Sequence, residues 1–117
     1  MPAGSYPGVG GGTAVVSEAA DPTQAGHIIR TVTYTNYVNK DGLILNGSES
    51  TNTTAGQSNV HYLADITITG THTGYLKGDA TLNTFAQSMT GYVTSDLDGD
   101  VQSLNDPANV AAAQQSV

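Results

Sequence analysis

Ile28-Ile29-Arg30-Thr31-Val32-Thr33-Tyr34-Thr35-Asn36-Tyr37-Val38 is the stretch from which the fold is read. Its even positions carry Ile28, Val32, Tyr34 and Val38, with Arg30 and Asn36 among them. Its odd positions set Thr31, Thr33 and Thr35 between Ile29 and Tyr37. Successive side chains of a strand point to opposite faces, so a mostly apolar face backed by a threonine row predicts a half-buried antiparallel strand. Asn39-Lys40-Asp41-Gly42 follows as a hairpin turn, the glycine supplying the positive φ that a tight turn needs. Leu43-Ile44-Leu45 opens a second strand, expected to fade into a polar loop over 46–59.

Further along, Val60, Tyr62, Ala64, Ile66 and Ile68 alternate with His61, Leu63, Asp65, Thr67 and Thr69. After the turn Thr71-His72-Thr73-Gly74, a fourth strand turns Leu76, Ala80 and Leu82 inward. The final alternation places Met89, Val93 and Leu97 opposite Thr90, Tyr92, Thr94 and Asp96. Val32, Tyr34, Ile66, Ile68, Leu82, Val93 and Leu97 are therefore expected on one shared core. Short turns between sequential strands predict an all-β antiparallel meander, closed as a small barrel or folded as a sandwich.

Upstream, Pro2, Gly4, Pro7, Gly8 and Gly10-Gly11-Gly12 break regular structure, and Asp21-Pro22 closes the segment. The chain thus divides into an N-terminal extension over 1–26 with one short strand, a β domain over 27–106 and a tail over 107–117. The short strand is Thr13, Ala14, Val15, Val16 and Ser17, tethered by Gly10–Gly12 read as a spacer. A strand so placed could cross to a neighbouring subunit and complete its sheet.

At 117 residues with 38% hydrophobic and 11% charged residues, one modest core is in reach. With no Trp and a single Phe, that core must come from Val, Ile, Leu, Tyr and Ala. A net charge of −7, with Arg30, Lys40 and Lys77 as the only Lys or Arg, argues against nucleic acid as a partner, because phosphate binding depends on basic side chains. The absence of cysteine removes disulfide and thiolate chemistry. No run approaches the ~18 apolar residues of a transmembrane segment.

Three stretches share the form Thr-[Gly/Asn]-Tyr-[Val/Leu]-x-x-Asp: residues 35–41, 73–79 and 90–96. Their unequal spacing argues against a solenoid. Tyr34-Thr35-Asn36-Tyr37, followed by Asp41-Gly42-Leu43-Ile44-Leu45-Asn46-Gly47, resembles a pattern met in uncharacterised secreted bacterial β proteins. The resemblance rests on turn residues and implies an exported, non-catalytic β domain, extracellular or at the cell surface.

Candidate ligand positions are few. Tyr37, Tyr75 and Tyr92 are expected on the polar face, where tyrosines can stack on carbohydrate or anchor a protein interface. Asp96, Asp98 and Asp100 form the densest acidic cluster, for which calcium is the natural cation because it takes oxygen ligands. On a strand, however, same-face carboxylates stand ~7 Å apart, too far for all three to share one ion, and a solvated sheet edge is the competing explanation. His27, His61 and His72 show no convergent spacing, and no serine elbow or phosphate-binding loop is present. No catalytic residues are expected. The leading expectation is a structural or adhesive subunit of an extracellular assembly, self-associating through Thr13–Ser17. A carbohydrate- or calcium-binding module and a virion decoration or tail protein are the alternatives.

Overall fold

The computed structural model describes residues 2–53, 59–83, 85–86, 88–98 and 102–103. Eight strands follow one another in chain order: β1 (Gly4–Pro7), β2 (Thr13–Ala20), β3 (Ile28–Val38), β4 (Leu43–Thr53), β5 (Asn59–Gly70), β6 (Gly74–Asn83), β7 (Ser88–Leu97) and β8 (Gln102–Ser103). Each pairs antiparallel with the next, giving a single open sheet in the order β1 to β8. The expected all-β meander is the architecture.

Register sorts the side chains into two faces. On the inner face one row runs Val16, Val32, Glu49, Ala64, Gly78, Val93. The next runs Ala14, Tyr34, Gly47, Ile66, Leu76, Ser95. Ala14, Val16, Ala64, Ile66, Ala80, Leu82 and Val93 are buried, and Tyr62, Leu76 and Met89 pack against the Ala80–Leu82–Val93 cluster. Gly78 has a packing reason: a Cβ there would meet the Tyr62 ring at 3.2 Å and Val93 at 3.1 Å. Of the expected core, Ile66, Leu82 and Val93 are buried, while Val32, Tyr34 and Ile68 are half-buried. Leu97, at the end of β7, is 37% exposed although it lies on the same face.

Two expectations need correction. The polar run 46–59 was expected as a loop, yet β4 continues to Thr53, paired along its length with β3 on one side and β5 on the other. Hydrogen bonding to two neighbours holds a strand that carries little apolar alternation, as the dependence of strand preference on context allows. The N-terminal segment is the second. Thr13–Ser17 is neither isolated nor free: β2 extends to Ala20, pairs with β3 throughout and takes β1 on its other side over Thr13–Val16. Gly10–Gly12 is no spacer. Gly10 N–H donates to the Val38 carbonyl at 3.2 Å and Val38 N–H to that of Gly11 at 3.0 Å, fixing the β1–β2 turn to the end of β3.

A bulge in β3 changes the faces beyond it. Between the pairs Tyr34–Gly47 and Tyr37–Leu45 the register shifts, so Thr35 and Asn36 together oppose Asn46. Asn36 takes a positive φ of 47°, which asparagine tolerates better than most residues. Its backbone N–H donates to Asn46 Oδ1 at 2.9 Å, and Asn46 Nδ2 donates to Asn36 Oδ1 at 3.1 Å. Gly12 abuts this bulge, where a Cβ would come within 1.8 Å of the Asn36 carbonyl oxygen.

The turns at the bulge end of the sheet are laced together. Thr71 Oγ1 donates to the Asp41 carbonyl at 3.0 Å, and Asp98 N–H donates to that of Thr73 at 2.7 Å. At the opposite end both flanks are open among the described residues. β1 leaves Ser17–Ala20 of β2 without a neighbouring strand, and β8 pairs only with Thr94 and Ser95, leaving Ser88–Val93 uncovered.

Candidate functional site

The bulge carries Tyr37 to the inner face. Because Tyr37 pairs with Leu45 and Leu45 with Ile68, it shares the side of Tyr34 rather than the polar face expected for it. The two rings lie 5.6 Å apart at 60°. Period-two counting from Ile28 fails here because an extra residue inverts every later side chain of the strand. Tyr75 and Tyr92 do lie on the outer face, opposite Asp96 and Asp79. The three related segments are therefore not equivalent in space.

Beside Tyr34 on the inner face stands Glu49, the centre of an otherwise apolar row. Tyr34 Oη donates to its Oε1 at 3.2 Å and Tyr62 Oη to its Oε2 at 2.8 Å. Both contacts are diagonal across a strand pair, since Glu49 is directly opposite Val32 and Ala64. Burial, followed by the neighbouring Glu49 charge, raises the Tyr34 phenol to about 12 and shifts Tyr62 upward as well. Among the described residues no Lys, Arg or His pairs with Glu49: Arg30 bonds Glu18, and Lys77 lies 5.5 Å over the Tyr75 ring. A half-buried carboxylate is thus held by two phenols, with no ion pair to it among the described residues. Nothing local in the sequence marks Glu49, because it sits in the polar run and its partners are 15 and 13 residues away.

On the outer face, His61 Nε2 lies 3.0 Å from Asp79 Oδ1. Asp65 faces Lys77, and exposed Leu63 and Tyr92 flank Asp79 in one row. The other histidines also have long-range partners. His27 Nδ1 meets Asn52 Oδ1 at 3.0 Å, while Asn52 Nδ2 donates to Asp21 Oδ2 at 2.8 Å. The Thr23 backbone N–H, then the Thr23 hydroxyl and Asn52, hold the Asp21 carboxyl down at about 2.

Of the acidic cluster, Asp96 and Asp98 are described, and they take different partners. Asp96 lies on β7 opposite Tyr75. Asp98, at a positive φ of 56°, turns to the β5–β6 turn, where its Oδ1 accepts from the Thr73 N–H at 3.0 Å and its Oδ2 contacts His72. Those two partners, the backbone N–H first, lower its carboxyl below the usual range. Asp100 lies outside the described residues, as does the tail expected over 107–117. Among the described residues no group of three His, Asp or Glu side chains could hold a metal ion, and no helix is long and apolar enough to cross a membrane.

No known family model, curated protein or solved structure matches the chain.

Proposed function

We propose that this protein is a non-catalytic structural or adhesive subunit of an extracellular or surface assembly, associating with a second copy along the open β7 edge. The observation that carries the reading is the stretch Ser88–Val93, which no strand covers on this side among the described residues and which contains no charged residue. A strand with unpaired backbone groups and no guarding charge is a template for another strand. The segment first expected to associate, Thr13–Ser17, has neighbours on both sides over Thr13–Val16 and is a poor donor.

A two-fold axis perpendicular to the sheet through Gly91 would set β7 antiparallel to its own copy. Met89 would then oppose Val93 and Thr90 would oppose Tyr92, so inner residues meet inner ones. Each β8 would lie beyond the shared stretch, because it covers only Thr94 and Ser95. Such an isologous contact closes on itself. Exposed Phe85, in the adjoining β6–β7 turn, adds apolar surface at the same end.

The test is a double substitution, Thr90→Lys with Tyr92→Lys, which sets like charges opposite each other across the contact. Loss of the larger species with an unchanged circular dichroism spectrum supports the reading. Retention of that species refutes it. Carbohydrate binding on the outer face is the second reading, favoured by exposed Tyr92 beside Leu63 and by Tyr75 on the same strand face. Retarded migration in polysaccharide-containing gels, relieved by Tyr92→Ala, would favour it.

A further inference from the structure

We propose that Tyr34, Tyr37, Glu49 and Tyr62 form a binding site for a small quaternary ammonium compound. The four side chains share the inner face, and none is fully buried. The Tyr34 and Tyr37 rings lie 5.6 Å apart and inclined at 60°. Beside them, Tyr34 and Tyr62 donate to the two oxygens of Glu49 at 3.2 and 2.8 Å. Aromatic faces attract a cation within about 6 Å of the ring centroid, most strongly where water is excluded.

The surroundings of Glu49 are the independent observation. A charge withdrawn from water is costly unless paired and hydrogen-bonded. Glu49 has the hydrogen bonds, but among the described residues no ion pair reaches it: Arg30, diagonal to it on the inner face, is bonded to Glu18. A bound cation would supply the missing charge without displacing either phenol, because a carboxylate has lone pairs to spare beyond two accepted hydrogen bonds. An alkylated ammonium suits the surroundings better than a metal ion. Half-buried Val32 beside Glu49 can contact methyl groups, whereas a hard cation needs several oxygen donors. The net charge of −7 favours approach of a cation in general.

The test titrates the full-length protein with choline and, in parallel, with 3,3-dimethyl-1-butanol, its uncharged isostere. The ring-proton resonances of the tyrosines provide the readout. Saturable shifts confined to Tyr34, Tyr37 and Tyr62 with choline, and at least tenfold weaker binding of the isostere, are expected. Glu49→Gln keeps an acceptor for a phenol and should weaken choline binding about tenfold, the scale of one cation–π or charge contact of ~1.4 kcal/mol. Comparable binding of the isostere, or undiminished choline binding by Glu49→Gln, overturns the proposal. So does the absence of any shift with choline. Phosphatidylcholine vesicles form a further arm: Glu49-dependent cosedimentation would identify a lipid headgroup as the source of the same chemistry, and free choline binding alone would identify a soluble ligand. The β7 variant with Thr90→Lys and Tyr92→Lys leaves this site intact, so failure of the association and failure of the ligand site are separable.

Discussion

Tyr62 reaches across from β5 to place its hydroxyl 2.8 Å from Glu49 on β4, whose own row across the inner face otherwise holds only Val, Ala and Gly. The pair, joined by Tyr34, converts the middle of the inner face from a simple packing surface into a polar centre. Burial followed by the Glu49 charge raises the Tyr34 phenol to about 12. In the unfolded chain the phenol titrates near 10, so above that pH the unfolded state loses a proton that the folded state keeps. Stability contributed by this group is therefore present below pH ~10 and lost as pH rises through about 12. Glu49→Gln should bring the Tyr34 titration down toward the ordinary tyrosine value, as followed by ultraviolet absorbance or ring resonances. An unmoved titration would mean that burial alone sets it.

The opposite pH limit involves Asp21. Its carboxyl is held at about 2 chiefly by the Thr23 backbone N–H, so the stabilisation it brings is present above the unfolded value and lost as pH falls through the folded one. Asn52→Ala removes the third-ranked cause, the Asn52 side-chain donor, and should raise the Asp21 value modestly while Thr23 still holds most of the shift. Carboxyl resonances followed through an acid titration would show it. A return to the ordinary aspartate value on that substitution alone would reverse the assigned order of causes.

Gly12 sets the contact between the first turn and the β3 bulge. With φ at +71° and the Asn36 carbonyl oxygen 1.8 Å from any added Cβ, Gly12→Ala should destabilise the protein by about 2 kcal/mol, the scale of enforced backbone strain. Chemical denaturation measures the effect. Gly11→Ala provides the comparison, because nothing lies within 4 Å of a Cβ there although its φ is also positive. Equal losses at the two positions would leave conformational strain alone as the cause.

Leu82 and Leu63 form a matched pair for the inner and outer faces. Leu82 is 1% exposed and Leu63 50%. Leu82→Ala should cost about 3 kcal/mol through lost burial and a residual cavity, while Leu63→Ala should change stability by less than about 0.5 kcal/mol. Similar losses in denaturation midpoint would contradict the assignment of faces.

The alternation of β3, β5, β6 and β7 was legible because each presents aliphatic residues at every second position. From those strands the antiparallel meander and the shared face of Val32, Ile66, Leu82 and Val93 follow. The bulge was not legible, since Asn36 reads as one more strand position until its pairing with Asn46 is seen. That single inserted residue placed Tyr37 on the wrong face. β4 was hidden for a different reason: Ser48, Ser50 and Asn52 alternate with Glu49, Thr51 and Thr53, giving no apolar contrast, and only its two neighbours make it a strand. The Glu49 cluster was lost with it. The N-terminal glycines misled because close backbone approach and flexibility have the same composition.

Sedimentation equilibrium of the full chain from low micromolar to millimolar concentration tests association along the β7 edge most directly. A reversible monomer–dimer equilibrium is predicted, with the dimer abolished when Thr90 and Tyr92 are both replaced by lysine. A monomer mass across the whole range would contradict the account.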